Sequence, residues 1–150
     1  MSSPGRVRVL FVCIGNACRS PMAEAIARRE AADVIEASSA GLCRLGEIAP
    51  HTIDTLLANG YSTDGLTSKQ ITRETVRDAD LVVNLTGKPL DYLFSEGPSS
   101  LGAAKRLEDW KITDPYGADA ATYQTILEEL KRRVRRLAHR LRASSRTAHA

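Results

Sequence analysis

The chain has 150 residues, 43% hydrophobic and 26% charged, a size at which one compact domain buries about 70% of its unfolded surface and a second domain is not expected. Its net charge of +3 is unevenly placed: residues 1–130 carry 13 Lys and Arg against 18 Asp and Glu, whereas residues 131–150 carry 8 basic residues and no acidic one. Charge confined to one terminal stretch argues against a nucleic-acid partner, and three cysteines and three histidines without a Cys-x-x-Cys pair argue against zinc, so no metal or cofactor is expected.

The first element is a short apolar run, Val7 to Val12, of the kind expected for a strand buried on both faces. With Arg8 inside it, the run is too short for a signal peptide or a membrane span. The chain therefore reads as cytosolic, without a membrane partner, and its three cysteines as reactive or buried rather than paired. A helix is expected from Pro21 to Ala32, with Ser20 placed as its N-cap and Pro21 suited to the first helical position. Val34 to Ser38 reads as a second strand. Pro50 to Asn59 reads as a second helix, stopped by Gly60.

Thr72 can cap a third helix running through Ala79. Leu81 to Val83 is a third strand and Lys105 to Leu107 a short fourth, separated by a Gly/Pro/Ser-rich loop over Ser95 to Gly102. The last helix has the strongest pattern: Tyr123, Leu127, Leu130, Val134, Leu137 and Leu141 form one apolar stripe. Its end is expected to fray past Ala143, over residues 144–150. Strands alternating with helices imply a single-domain, three-layer α/β/α fold with a four-stranded parallel sheet, whose ligands bind at the carboxyl ends of the strands.

The chemistry lies between the first strand and the first helix, in Cys13-Ile14-Gly15-Asn16-Ala17-Cys18-Arg19-Ser20-Pro21. Gly15 and Asn16 both tolerate positive φ, so the loop can curl with its backbone N–H groups pointing inward at a helix N-terminus. Such a cradle, formed by Ile14, Gly15, Asn16, Ala17, Cys18 and Ser20, suits a tetrahedral anion, phosphate or sulfate. Cys13 faces the same amides, which would stabilise its thiolate as a nucleophile toward phosphorus. Arg19 offers a planar fork to two phosphoryl oxygens. Ser20 can donate a hydrogen bond to the thiolate, and Asn16 can pin the loop from within. Transfer to Cys13 also needs a general acid, for which Glu108, Asp109, Asp114 and Asp119 all qualify by chemistry.

The segment VLFVCIGNACRSPMAEA closely resembles the active-site signature of the low-molecular-weight protein tyrosine phosphatases. The resemblance covers most of the chain. Ser39-Ala40-Gly41 is similar to that family's Ser-Ala-Gly, which implies that Ser39 supports the phosphate loop. Asp114-Pro115-Tyr116-Gly117 is similar to its Asp-Pro-Tyr segment, which implies Asp114 as general acid and base and Tyr116 as a pocket wall. The resemblance also implies a redox role for Cys18, as a thiol able to trap oxidised Cys13 in a disulfide; a small residue packed under the helix is the alternative. Cys43 is expected to be a bystander near the pocket.

The chain departs from the family pattern at Leu42-Cys43-Arg44-Leu45, where an aromatic wall is common, at Gly117 in place of a second tyrosine, and at Leu66 and Asn84. Protein arginine phosphatases are similar over Ser68 to Thr72 and the Asp-Pro-aromatic-Gly segment. They carry threonine after the nucleophile, where this chain has Ile14, a branched apolar side chain better suited to an aromatic ring than to a guanidinium. Arsenate reductases with this loop relay oxidation through two further cysteines, and no cysteine follows Cys43. The expected activity is hydrolysis of phosphotyrosine in a phosphorylated protein, or of an aryl phosphate. The alternatives are a protein arginine phosphatase and, behind it, a phosphate-binding module without turnover or an arsenate reductase.

Overall fold

The apolar N-terminal run forms β1 (Val7–Cys13), the centre of a parallel sheet in a computed structural model that describes residues 5–91 and 106–148. Around it follow α1 (Arg19–Glu30), β2 (Ile35–Gly41), α2 (Pro50–Ala58), α3 (Arg73–Asp78), β3 (Leu81–Asn84), β4 (Arg106–Asp109) and α4 (Ala120–Ala148). The strand order is β2-β1-β3-β4, with Val7 opposite Ile35 and Val9 opposite Leu81. Because side chains alternate across a strand, Val9, Phe11 and Cys13 face one layer while Leu10 and Val12 face the other. The first set packs with Met22 and Ile26 of α1, Leu56 of α2 and Leu127 and Leu130 of α4; the second packs with Val76 and Ala79 beside α3.

The expected fold class is found, with corrections at element ends. The α1 helix begins at Arg19, and its N-cap position is Cys18, without a side-chain capping bond. Ser20 is not the cap: its hydroxyl is taken by Cys13 and Asn16. β2 extends to Gly41 rather than stopping at Ser38, because the chain keeps pairing with β1 up to Cys13. Thr72 does cap α3, in a reciprocal pair with Thr75. β4 reaches Asp109, while Lys105 and the Ser95 to Gly102 loop lie outside the described residues. The last helix continues past Ala143 through Ala148, since that stretch holds no Gly or Pro to stop it. No described helix is long and apolar enough to cross a membrane.

The stripe on α4 is buried as expected, and its basic face has a specific use. Arg135 reaches Glu30, Arg140 reaches Glu108 at 2.9 Å and Arg142 reaches Asp33 at 2.8 Å, while the guanidinium of Arg133 stands 5.9 Å from the Trp110 ring centroid. Burial pushes the Glu30 and Glu108 carboxyls up, but hydrogen bonds from Arg135 and Tyr61, and from Arg140 and Trp110, hold both below the usual range. Each pair has an exposed arginine and is individually weak. Together they lay the positive C-terminal helix against acidic residues of the body.

Candidate active site

The loop from Cys13 to Arg19 leaves the carboxyl end of β1 and enters α1. Its carbonyls are turned outward and used: Ile14 O accepts from Cys43 N at 2.9 Å, Gly15 O from Leu45 N at 2.8 Å and from the Ser68 hydroxyl at 3.0 Å, and Ala17 O from Ala49 N at 3.1 Å. In a trans peptide the N–H opposes the C=O, so the amides of Gly15, Asn16 and Cys18 are directed toward the inside of the curl. Of the two residues that tolerate positive φ, only Asn16 takes it, at 50°. Gly15 does not.

The glycine that the loop requires is Gly41. A Cβ there would meet Asn16 N at 2.7 Å and both Gly15 C and Ile14 O at 2.8 Å, so the loop backbone rests directly on its Cα. All three are main-chain atoms and cannot rotate away. Gly41→Ala is expected to lose about 2–3 kcal/mol of stability in urea denaturation and to weaken phosphate binding at least about tenfold. A variant with unchanged midpoint and phosphate affinity would show that the loop does not depend on this contact.

Under the loop, Asn16 holds three neighbours. Its Nδ2 donates to Ser20 Oγ at 2.7 Å and Ser39 Oγ at 3.0 Å, and its Oδ1 accepts from Lys69 N at 2.7 Å. Ser20 Oγ lies 2.9 Å from Cys13 Sγ. Since Ser20 already accepts from Asn16, its own proton is free for the sulfur. Asn16 and Ser20 are fully buried, and their side chains support the loop from beneath the pocket.

A pocket of about 190 Å³ opens over the loop, floored by Cys13, Ile14, Gly15, Ala17, Cys18 and Arg19, and walled by Cys43, Leu45, Asp114 and Tyr116. Arg19 is 4% exposed. Its Nη1 donates to the carbonyls of Leu85 and Ile112, Nη2 lies 3.5 Å from Asp114 Oδ2, and the buried Nε has no hydrogen-bond partner. A buried donor without a partner is costly, and Arg19 lines the same pocket as the loop residues. Asp114 Oδ1 accepts from Tyr116 N at 3.1 Å, an Asx turn that fixes the carboxyl at the rim.

The other acidic side chains that qualified by chemistry are engaged elsewhere. Glu108 binds Arg140 and Trp110, Asp109 accepts from Asn84 at 2.8 Å, and Asp119 caps α4 through Thr122, whose hydroxyl and amide hold its carboxyl below the usual range. Cys18 Sγ lies 3.3 Å from Tyr123 Oη, in a cluster with Ala17 and Ala49, and burial pushes its thiol up. Cys43, expected to be a bystander, is exposed and forms part of a wall with Leu45, in place of the aromatic residue common in the family the sequence resembles. The segment Ser68 to Gln70 had no expected role in the site. It braces the loop through Ser68 Oγ and Lys69 N, contacts between positions 53 apart in sequence that no local pattern announces.

The family model described as low molecular weight phosphotyrosine protein phosphatase matches residues 8–147 of the chain. The chain is 32% identical over 140 residues to a probable low molecular weight protein-tyrosine-phosphatase EpsP of Ralstonia nicotianae, covering 90% of this chain and 96% of that one. It is 31% identical over 150 residues to the protein-arginine-phosphatase of Bacillus subtilis, covering 92% and 99%. Among solved structures, the YwlE arginine phosphatase from Geobacillus stearothermophilus superimposes with a TM-score of 0.83 at 28% identity, covering 96% of this chain and 98% of that one.

Proposed function

Because the chain belongs to the low molecular weight phosphotyrosine protein phosphatase family, we propose that it hydrolyses aryl phosphates, phosphotyrosine in proteins foremost, through a phosphocysteine on Cys13. The observation that carries this reading is the buried Arg19 guanidinium, with an unpartnered Nε, in one pocket with Cys13 and Asp114. In the first step Cys13 Sγ attacks phosphorus, the S–P bond forms and the P–O bond to the ring breaks. Asp114 gives its proton to the departing phenolate. Nε and Nη2 of Arg19 hold two phosphoryl oxygens as charge develops, and the inward amides hold the rest. In the second step Asp114 takes a proton from water, which attacks phosphorus and releases the Cys13 thiolate. Ser20, with its proton free, stabilises that leaving thiolate.

Substrate choice rests on the walls. Ile14 at the floor and Leu45 and Tyr116 at the rim present apolar surface to the group that carries the phosphoryl. A phenol ring gains by burying its faces there, whereas a hydrated guanidinium gains less from that apolar surface and finds Asp114 as its one charged acceptor among the wall residues. The similarity to arginine phosphatases makes phosphoarginine the competing substrate. Rates on matched phosphotyrosine and phosphoarginine peptides decide between them. Wild type is expected to favour phosphotyrosine by at least about tenfold in kcat/KM, and Ile14→Thr to narrow that ratio. A wild-type preference for phosphoarginine would overturn the aryl reading, and tight phosphate binding with no turnover of any monoester would make the protein a binding module.

A further inference from the structure

Glu24 is the one acidic side chain buried among the described residues, at 1% exposure, and it does not line the pocket. It stands one turn of α1 after Ser20, with Arg28 paired to it one turn further on and Lys69 Nζ at 3.9 Å. A carboxylate can only accept, so the hydroxyl of Ser39 donates to Glu24 Oε1. The lone pairs of Ser39 are thereby turned to Asn16 Nδ2, whose second hydrogen goes to Ser20, and Ser20 is left to donate to Cys13 Sγ. The bonds run without a break from a buried charge to the sulfur.

We infer that Glu24 is a positioning residue for the reaction: it locks the Ser39 hydroxyl, through it the Asn16 amide, and so keeps the Ser20 proton aimed at Cys13. This rests on the reading of Cys13 as the nucleophile. Asn16 needs the restraint, because it holds the loop's one positive φ among its non-glycine residues and serves two hydroxyls with a single amide group. Arg28 and Lys69 offset the charge that would otherwise be isolated in the interior. Lys69 also donates its backbone N–H to Asn16 Oδ1 at 2.7 Å, so one residue grips both the start and the middle of the path.

Glu24→Gln tests this with little change in size. The glutamine has one acceptor oxygen for three claimants, Ser39, Arg28 and Lys69. With its oxygen toward Arg28, its amide faces Ser39 and Lys69 and leaves the Ser39 proton without an acceptor; turned the other way, its amide meets Arg28, donor against donor. Two readouts are used, and the first needs no phosphatase substrate: the pH dependence of Cys13 alkylation by iodoacetamide, resolved from Cys18 and Cys43 by the fragment masses of the modified peptides. It is expected to shift upward by about one pH unit, equivalent to a tenfold change. The second is steady-state hydrolysis of p-nitrophenyl phosphate, where kcat is expected to fall about tenfold with KM nearly unchanged.

In a Ser39→Ala background, Glu24→Gln is expected to add nothing to either readout, because the path is already cut. A folded Glu24→Gln protein with the wild-type alkylation profile, or effects additive with Ser39→Ala, would overturn the proposal. Should Glu24→Gln not fold, Ser39→Ala alone cuts the same path while leaving Glu24 to Arg28 and Lys69, and an unchanged profile there overturns it equally. An alkylation shift in a protein whose wild type hydrolyses no monoester would sustain the relay and reject the proposed activity.

Discussion

Cys13→Ser is expected to remove hydrolysis of p-nitrophenyl phosphate by a factor of roughly 10⁴ or more while leaving the protein folded. The replacement is nearly isosteric, and Ser20 lies 2.9 Å from the atom it alters, so the hydrogen bonds under the loop can persist. What disappears is the nucleophile. A serine hydroxyl must be deprotonated to attack, and Asp114, the carboxyl at the pocket rim, is required in its protonated form for the same step. Arg19 and the amides are untouched, so phosphate should bind within a few-fold of wild type, measured by calorimetry. Retained turnover would exclude the phosphocysteine route; lost phosphate binding would instead place the defect in the loop.

Asp114→Asn is expected to slow hydrolysis of phenyl phosphate by about 10²–10³, and of 2,4-dinitrophenyl phosphate far less. The difference between substrates carries the meaning. Phenolate is a poor leaving group without a proton, whereas dinitrophenolate departs unaided. Asparagine preserves the oxygen that accepts from Tyr116 N, so the Asx turn and the loop remain. It also removes the negative charge 3.5 Å from Arg19 Nη2, which should tighten rather than weaken the binding of a phosphate dianion. Equal losses on the two substrates would take Asp114 out of the acid role and leave it a rim residue that positions Arg19.

Much of the fold was legible because its signals are local. The apolar run of β1, the spacing of the α4 stripe and the Thr72 cap each follow from side chains a few positions apart. The candidate site was legible in the same way where it is one continuous segment, Cys13 to Ser20. Misreadings arose where a residue has two possible partners. Ser20 suits a helix cap by position, but the structure gives its hydroxyl a thiol and an amide instead. Gly15 and Asn16 look alike as flexible residues; only the packing of the loop on β2 makes Asn16 take positive φ and makes Gly41 the glycine that cannot be replaced. By composition the basic stretch of α4 resembled a separate tail, because its acidic partners Glu30, Asp33 and Glu108 lie far away in sequence.

The sequence by itself determined the architecture, the order of its elements and the placement of a cysteine, an arginine and a curled loop at a strand end. These depend on periodicity and on spacing within a few residues, which the backbone converts directly into geometry. The tertiary structure decided which carboxyl reaches the pocket, which side chains wall it, and how Glu24, Ser39 and Lys69 come to stand behind Cys13. Those contacts close over separations of 15 to 95 positions, and they are settled by how the layers pack.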